Sequence, residues 1–133
     1  MAEAEAEAVS RPFSYALLRV VPRVERGERL NAGVVLFSRQ HDFLGLRAAV
    51  DEKRLAALDA ELDPEPVRSR LAALGQVAAG DPECGAIAKL PPSERFGWLV
   101  APSSTIIQPS PVHSGLTDDP AATLEHLFRS LVG

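Results

Sequence analysis

At 133 residues, 46% hydrophobic and 24% charged, the chain is long enough to bury its own core without metal or disulfide support. Its one cysteine, Cys84, excludes an internal disulfide and a cysteine-based zinc site, and fits a reducing compartment. A net charge of −4 argues against non-specific nucleic-acid binding, which depends on counterion release at basic surfaces.

Residues 1–10 alternate Ala and Glu, lack an apolar face and read as a disordered acidic tail. They contain no apolar run of the kind a signal peptide needs, and nothing downstream approaches the roughly 20 apolar residues of a membrane span. The expectation is a cytoplasmic protein with no membrane contact. Residues 11–133 read as a single α+β domain. Positive charge gathers at its start, where Arg11, Arg19, Arg23, Arg26, Arg29, Arg39 and Arg47 face only Glu25, Glu28 and Asp42. That basic third raises nucleic acid as a minor reading, but pairing with acids elsewhere is the simpler account.

Tyr15–Val21 is rich in β-formers and stops at Pro22, so it reads as a strand. A charged loop over 22–29 follows, with Arg23, Arg26 and Arg29 interleaved with Glu25 and Glu28. Asn31–Phe37 is apolar on both alternating sets, the pattern of a central strand covered on both faces. After the short turn at 39–42, Phe43–Val50 is a third strand, and the short connections make an antiparallel meander. Asp51 can cap a helix carrying Leu55, Leu58 and Leu62. Asp63-Pro64 starts a second, with Asp as N-cap and Pro at the first turn. Its stripe is Val67, Leu71, Leu74 and Ala78, and Gly80 ends it. Residues 80–92 read as an irregular connector, and Phe96–Val100 is too short for periodicity to choose between helix and strand. Thr105–Gln108 reads as a strand, placed at an edge by Pro109 and Pro111. Asp119-Pro120 opens a last helix that buries Leu124, Leu127, Phe128 and Leu131. The expected architecture is α+β: a small, mainly antiparallel sheet (a three-strand meander plus a later strand) with about three packed helices.

From Phe96 to Thr117 runs a 22-residue tract without Asp, Glu, Lys or Arg, in which His113 is the one titratable side chain. Such a tract is either a packed structural arm or the lining of a binding groove. Its Trp98, the only tryptophan, is a core residue by default and an interface residue if exposed. Arg19 and Arg47 stand among apolar strand residues, so each needs a carboxylate, a carbonyl or a ligand as partner. Glu28 and Asp51 are the internal partners to expect; a shared phosphate or carboxylate site is the alternative.

Two blocks of the chain resemble the bacterial family catalogued as domain of unknown function 3037. The first is Tyr15-Ala-Leu-Leu-Arg19-Val-Val-Pro22, with Arg26-Gly27-Glu28 and Asn31-Ala-Gly33-Val-Val-Leu-Phe37. The second is Ser104-Thr105-Ile-Ile-Gln108-Pro-Ser-Pro-Val-His113-Ser-Gly115, with Asp119-Pro120 and the final helix. The resemblance implies an accessory role, since members of that family are often encoded beside a HipA-like kinase. It carries no catalytic residues.

Tests for chemistry return little. No phosphate loop is present, and His41, His113, His126 and Cys84 lack metal-ligand spacing, so neither cofactor nor metal is expected. His113 lies near Ser110, Ser114, Asp118 and Asp119, but adjacent residues of an extended segment point to opposite sides, and no nucleophile elbow is present. The leading expectation is a non-enzymatic binding or regulatory module acting on a protein partner. Arg19, Arg47, Trp98, Ser104, Gln108 and His113 are its candidate binding residues, with no catalytic residue assigned. The alternative is a small-ligand or hydrolytic site built from Arg19, Arg47, Ser104 and His113. Oligomeric state is left open by the sequence.

Overall fold

The computed structural model of the chain describes residues 10–103 and 105–132. Residues 1–9 of the expected acidic tail, and the candidate Ser104, lie outside the described residues. The strands are β1 (Arg11–Val20), β2 (Leu30–Ser38), β3 (Phe43–Ala48), β4 (Ile107–Pro109) and β5 (His113–Thr117). The helices are α1 (Glu52–Leu58), α2 (Pro64–Ala79), α3 (Pro92–Leu99) and α4 (Pro120–Leu131). All strand pairings are antiparallel, in the order β3-β2-β1-β4, with β5 also paired to β1.

The expected meander is β1-β2-β3. β1 begins at Arg11, four residues earlier than its apolar run suggested, because β5 pairs with Arg11 through Tyr15. Two further elements depart from the reading of the sequence. Pro92 opens α3 at its first turn, where a missing N–H costs nothing, so the described residues hold four α-helices where about three were expected. β5 has no counterpart among the expected strands: His, Ser and Gly carry weak β signals, and the strand exists because β1 offers it backbone partners.

Helix boundaries follow their capping chemistry. The Asp51 carboxylate accepts from the N–H groups of Lys53 and Arg54, Asp63 from Glu65, and Asp119 from Ala122. Gly80 ends α2 with φ +74°, a left-handed conformation that glycine adopts without strain.

The alternation of β1 distributes its side chains between two apolar layers. Ala16, Leu18 and Val20 join Val35, Leu55, Val67, Leu71, Leu74 and Phe96 on the face covered by α2 and α3. Phe13 and Leu17 join Val34, Leu36 and Leu124 on the face covered by α4. β2 is thus buried on both sides, and its fully buried Leu36 contributes about 1.5–3 kcal/mol. A bulge interrupts the β1–β2 ladder: Leu18 faces Gly33 and Arg19 faces Asn31, leaving Ala32 without a partner on β1. α4 buries less than its pattern suggests. Leu124 is buried, Leu127 and Phe128 are half-buried, and Leu131 is exposed, because α4 lies mainly over β2 and β3.

Candidate functional site

The uncharged tract folds as an arm laid along β1. Its register is nearly continuous: Ile107, Gln108 and Pro109 face Val20, Arg19 and Leu18, and His113 to Thr117 face Tyr15 to Arg11. Pro109 and Pro111 interrupt it, and Ser110 bridges the break. The Leu17 N–H donates to Ser110 Oγ at 2.8 Å, the Ser110 N–H donates to Leu17 O at 2.8 Å, and the Ser110 hydroxyl donates to Pro111 O at 2.9 Å. Ser110 is accordingly buried, and its hydroxyl is committed to structure.

Pairing and alternation sort the sequence-selected residues onto opposite faces. Arg19, Gln108 and His113 share the α4 face with Tyr15, since Arg19 faces Gln108 and Tyr15 faces His113 across the strands. The Tyr15 and His113 rings lie 5.3 Å apart, centroid to centroid. Gln108 Nε2 donates to Thr105 O at 3.0 Å, bracing the arm. Arg19 is half-buried, and neither a hydrogen bond nor an ion pair holds it among the described residues. Burial, and then the neighbouring Arg29, lower its pKa from the ordinary arginine value. Its expected partners are engaged elsewhere: Glu28 by Arg26 at 2.6 Å and Asp51 by Arg54 at 3.4 Å.

Arg47 lies two strands away on the same face. Its Nε meets Glu125 of α4 at 2.5 Å, and its guanidinium sits 4.8 Å from the centroid of the Phe128 ring. A helix acid absent from sequence reasoning therefore satisfies it, and Arg19 and Arg47 do not form one site.

Trp98 is on the other side of the sheet. It is 38% exposed and stands between two apolar cavities that share Arg70, Leu74 and Trp98. One, of about 220 Å³, runs under the arm past Leu18, Pro102, Ser103, Thr105 and Ile107. The other, of about 290 Å³, continues past Ala73, Val77, Cys84 and Ile87. α3 positions the indole and α2 presents Arg70 one turn before Leu74. Arg70 is the only charged side chain lining either cavity, and no ion pair engages it among the described residues. Sequence reasoning missed Arg70 because it sits on the polar flank of an amphipathic helix. The Cys84 thiol donates to Gln76 Oε1 at 3.0 Å; burial, followed by Asp81 and Glu83, raises its pKa.

A hydrolytic arrangement finds no support in the bonding. No hydrogen bond joins a serine to a histidine among the described residues: Ser110 is committed to backbone and Asp119 caps α4. His41 Nε2 lies 2.9 Å from Thr117 O, a contact that ties the β2–β3 turn to the end of the arm. No group of three His, Cys, Asp or Glu is placed to hold a metal among the described residues. Among these residues no helix is long and apolar enough to cross a membrane.

Residues 15–132 match the family described as protein of unknown function (DUF3037), and the chain belongs to that family. Neither a curated protein nor a solved structure matches the chain.

Proposed function

We propose that this DUF3037 protein is a non-enzymatic, cytoplasmic binding module that docks a protein partner in the groove around Trp98. One observation carries the reading: the sole tryptophan is 38% exposed between two apolar cavities, and among the described residues Arg70 is their only charged lining and is engaged by no ion pair. Trp and Arg dominate binding hot spots, where an apolar pocket desolvates the contact and the charge orients it. The groove suits a segment with a large apolar anchor and a carboxylate near it. A HipA-like kinase is the partner that the family resemblance supplies.

The test is a titration of the purified chain with a HipA-like kinase, monitored by Trp98 fluorescence. Trp98→Ala and Arg70→Glu, the first read by calorimetry, are expected to weaken binding by about 30-fold or more, the scale of a hot spot. Absence of binding, or unchanged affinity in both folded variants, would overturn the reading.

A second reading rests on Arg19, a half-buried strand arginine opposite Gln108 whose guanidinium no ion pair engages among the described residues. It takes a phosphate or carboxylate group beside Arg19 and Gln108. Inorganic phosphate should then shift the Arg19 side-chain NMR signal in the native chain, and Arg19→Gln should abolish saturable binding. A flat titration would sink it.

A further inference from the structure

β5 is an outer strand, paired only with β1 among the described residues. The Leu17 N–H and C=O both turn toward Ser110 on the arm side of β1, while the Pro12 C=O turns the other way, to the Ser38 hydroxyl of β2. By alternation Phe13 and Tyr15 bond toward β5, so their partners Gly115 and His113 face inward. Ser114 and Leu116 therefore direct their N–H and C=O groups away from the sheet. Val112, the residue before β5, falls on the same alternation.

Three observations select the occupant of this edge. Leu116 is the most exposed large apolar side chain among the described residues, at 70%, and Val112 is 46% exposed. They stand two residues to either side of Ser114, so a two-fold axis at Ser114 lays Leu116 of each copy across from Val112 of the other. Edge strands are usually guarded by charge or proline, and β5 has neither. With no Asp, Glu, Lys or Arg from Phe96 to Thr117, two copies meet there without like-charge repulsion. Finally, no helix packs across β5 among the described residues. Its extensive contacts are with β1, and the Thr117 hydroxyl meets Thr123 of α4 at the strand's end. Two copies can therefore close to the strand spacing of about 4.8 Å.

We propose that β5 pairs antiparallel with β5 of a second copy about a two-fold axis at Ser114, joining two sheets into one. Ser114 then bonds to Ser114 of the other copy, and each Leu116 covers a Val112 across the axis. The same patch serves both copies, so the contact closes on itself. A pair this short buries less than the roughly 1,200 Å² of a standard interface, so the association is weak and shows at high chain concentration. It uses neither Trp98 nor Arg70 and stands without the groove reading.

Sedimentation of the purified chain from about 10 μM to about 1 mM should show a rising share of dimer. Amide exchange at Ser114 and Leu116 of the unaltered chain should slow over the same range. Leu116→Lys and Val112→Glu, both at exposed positions, should each weaken association about tenfold or more, because each sets a charge against an apolar side chain. The double variant should recover to within about threefold of the unaltered chain, since each new carboxylate then faces a new ammonium across the axis. The two sites lie about 13 Å apart along one extended chain, so that recovery can only be between copies. A chain that stays monomeric, a dimer that neither single variant weakens, or loss in the single variants without recovery in the double overturns the proposal. So does amide exchange that is independent of concentration, a result that needs no variant to fold.

Discussion

The two edges of the sheet are protected by different means. The β4–β5 edge is broken by Pro109 and Pro111 and stitched by Ser110, so it cannot present a continuous row of free donors. The β3 edge has no proline, and α2, packed on β3, leaves a groove beside it. Composition blunts the first edge; tertiary packing partly covers the second. The comparison teaches that prolines can cut an uncharged edge down to the short run of β5, while an ordinary apolar strand stays open along its length.

Both edges hang on the same core, so the largest expected effect is at their common support. Leu18 is fully buried in β1, opposite Pro109 and Gly33, and Leu18→Ala should cost about 2–5 kcal/mol in urea unfolding. A loss below about 1 kcal/mol would mean that β1 does not anchor both sides, since ordinary surface changes stay within about 0.5 kcal/mol.

The broken edge should resist change. The Phe13 ring covers Gly115, and a Cβ there would lie 2.9 Å from Phe13 Cε1, so Gly115→Val should destabilise by about 1–3 kcal/mol through overpacking. Ser110→Ala should cost about 1–3 kcal/mol by leaving the buried Leu17 N–H unmatched, and exchange of that amide should accelerate. If both variants are as stable as the parent, the arm is held by something other than its pairing with β1.

The open side should tolerate change. Gly75→Ala adds a methyl group in open space within a helix and should stabilise by about 0.5–1 kcal/mol in thermal unfolding. A loss there would show that the groove is already filled. The smallest effect is at Cys84. Its raised pKa leaves less thiolate in the folded protein, so iodoacetamide should react more slowly with native than with unfolded chain at mildly alkaline pH. The folded state holds that proton more tightly, so the linked stability is full below the unfolded thiol's pKa and is lost as pH rises through the folded one. Equal reaction rates would remove the burial of Cys84 from the account.

Local chemistry made most elements legible. Asp-Pro pairs capped α2 and α4 as their residues require, Gly80 stopped α2, and the doubly apolar run of β2 announced a covered strand. Arg19 and Arg47 were legible as strand arginines in need of partners, but their partners were not. Glu125 lies 78 residues from Arg47 and reaches it only because α4 packs over β2 and β3.

The sequence by itself determined the α+β class, the meander and the starts of α1, α2 and α4, because capping and alternation act within a few residues. Tertiary structure alone decided the strand status of His113–Thr117, the separation of Trp98 from Arg19, Gln108 and His113, and the open edge beside Gly75. Each of these depends on which strands pair and which helix covers which face, and those choices are made by contacts between residues distant in the chain. A side chain carries its chemistry in its own residue, whereas its partners and its face are properties of the packed whole.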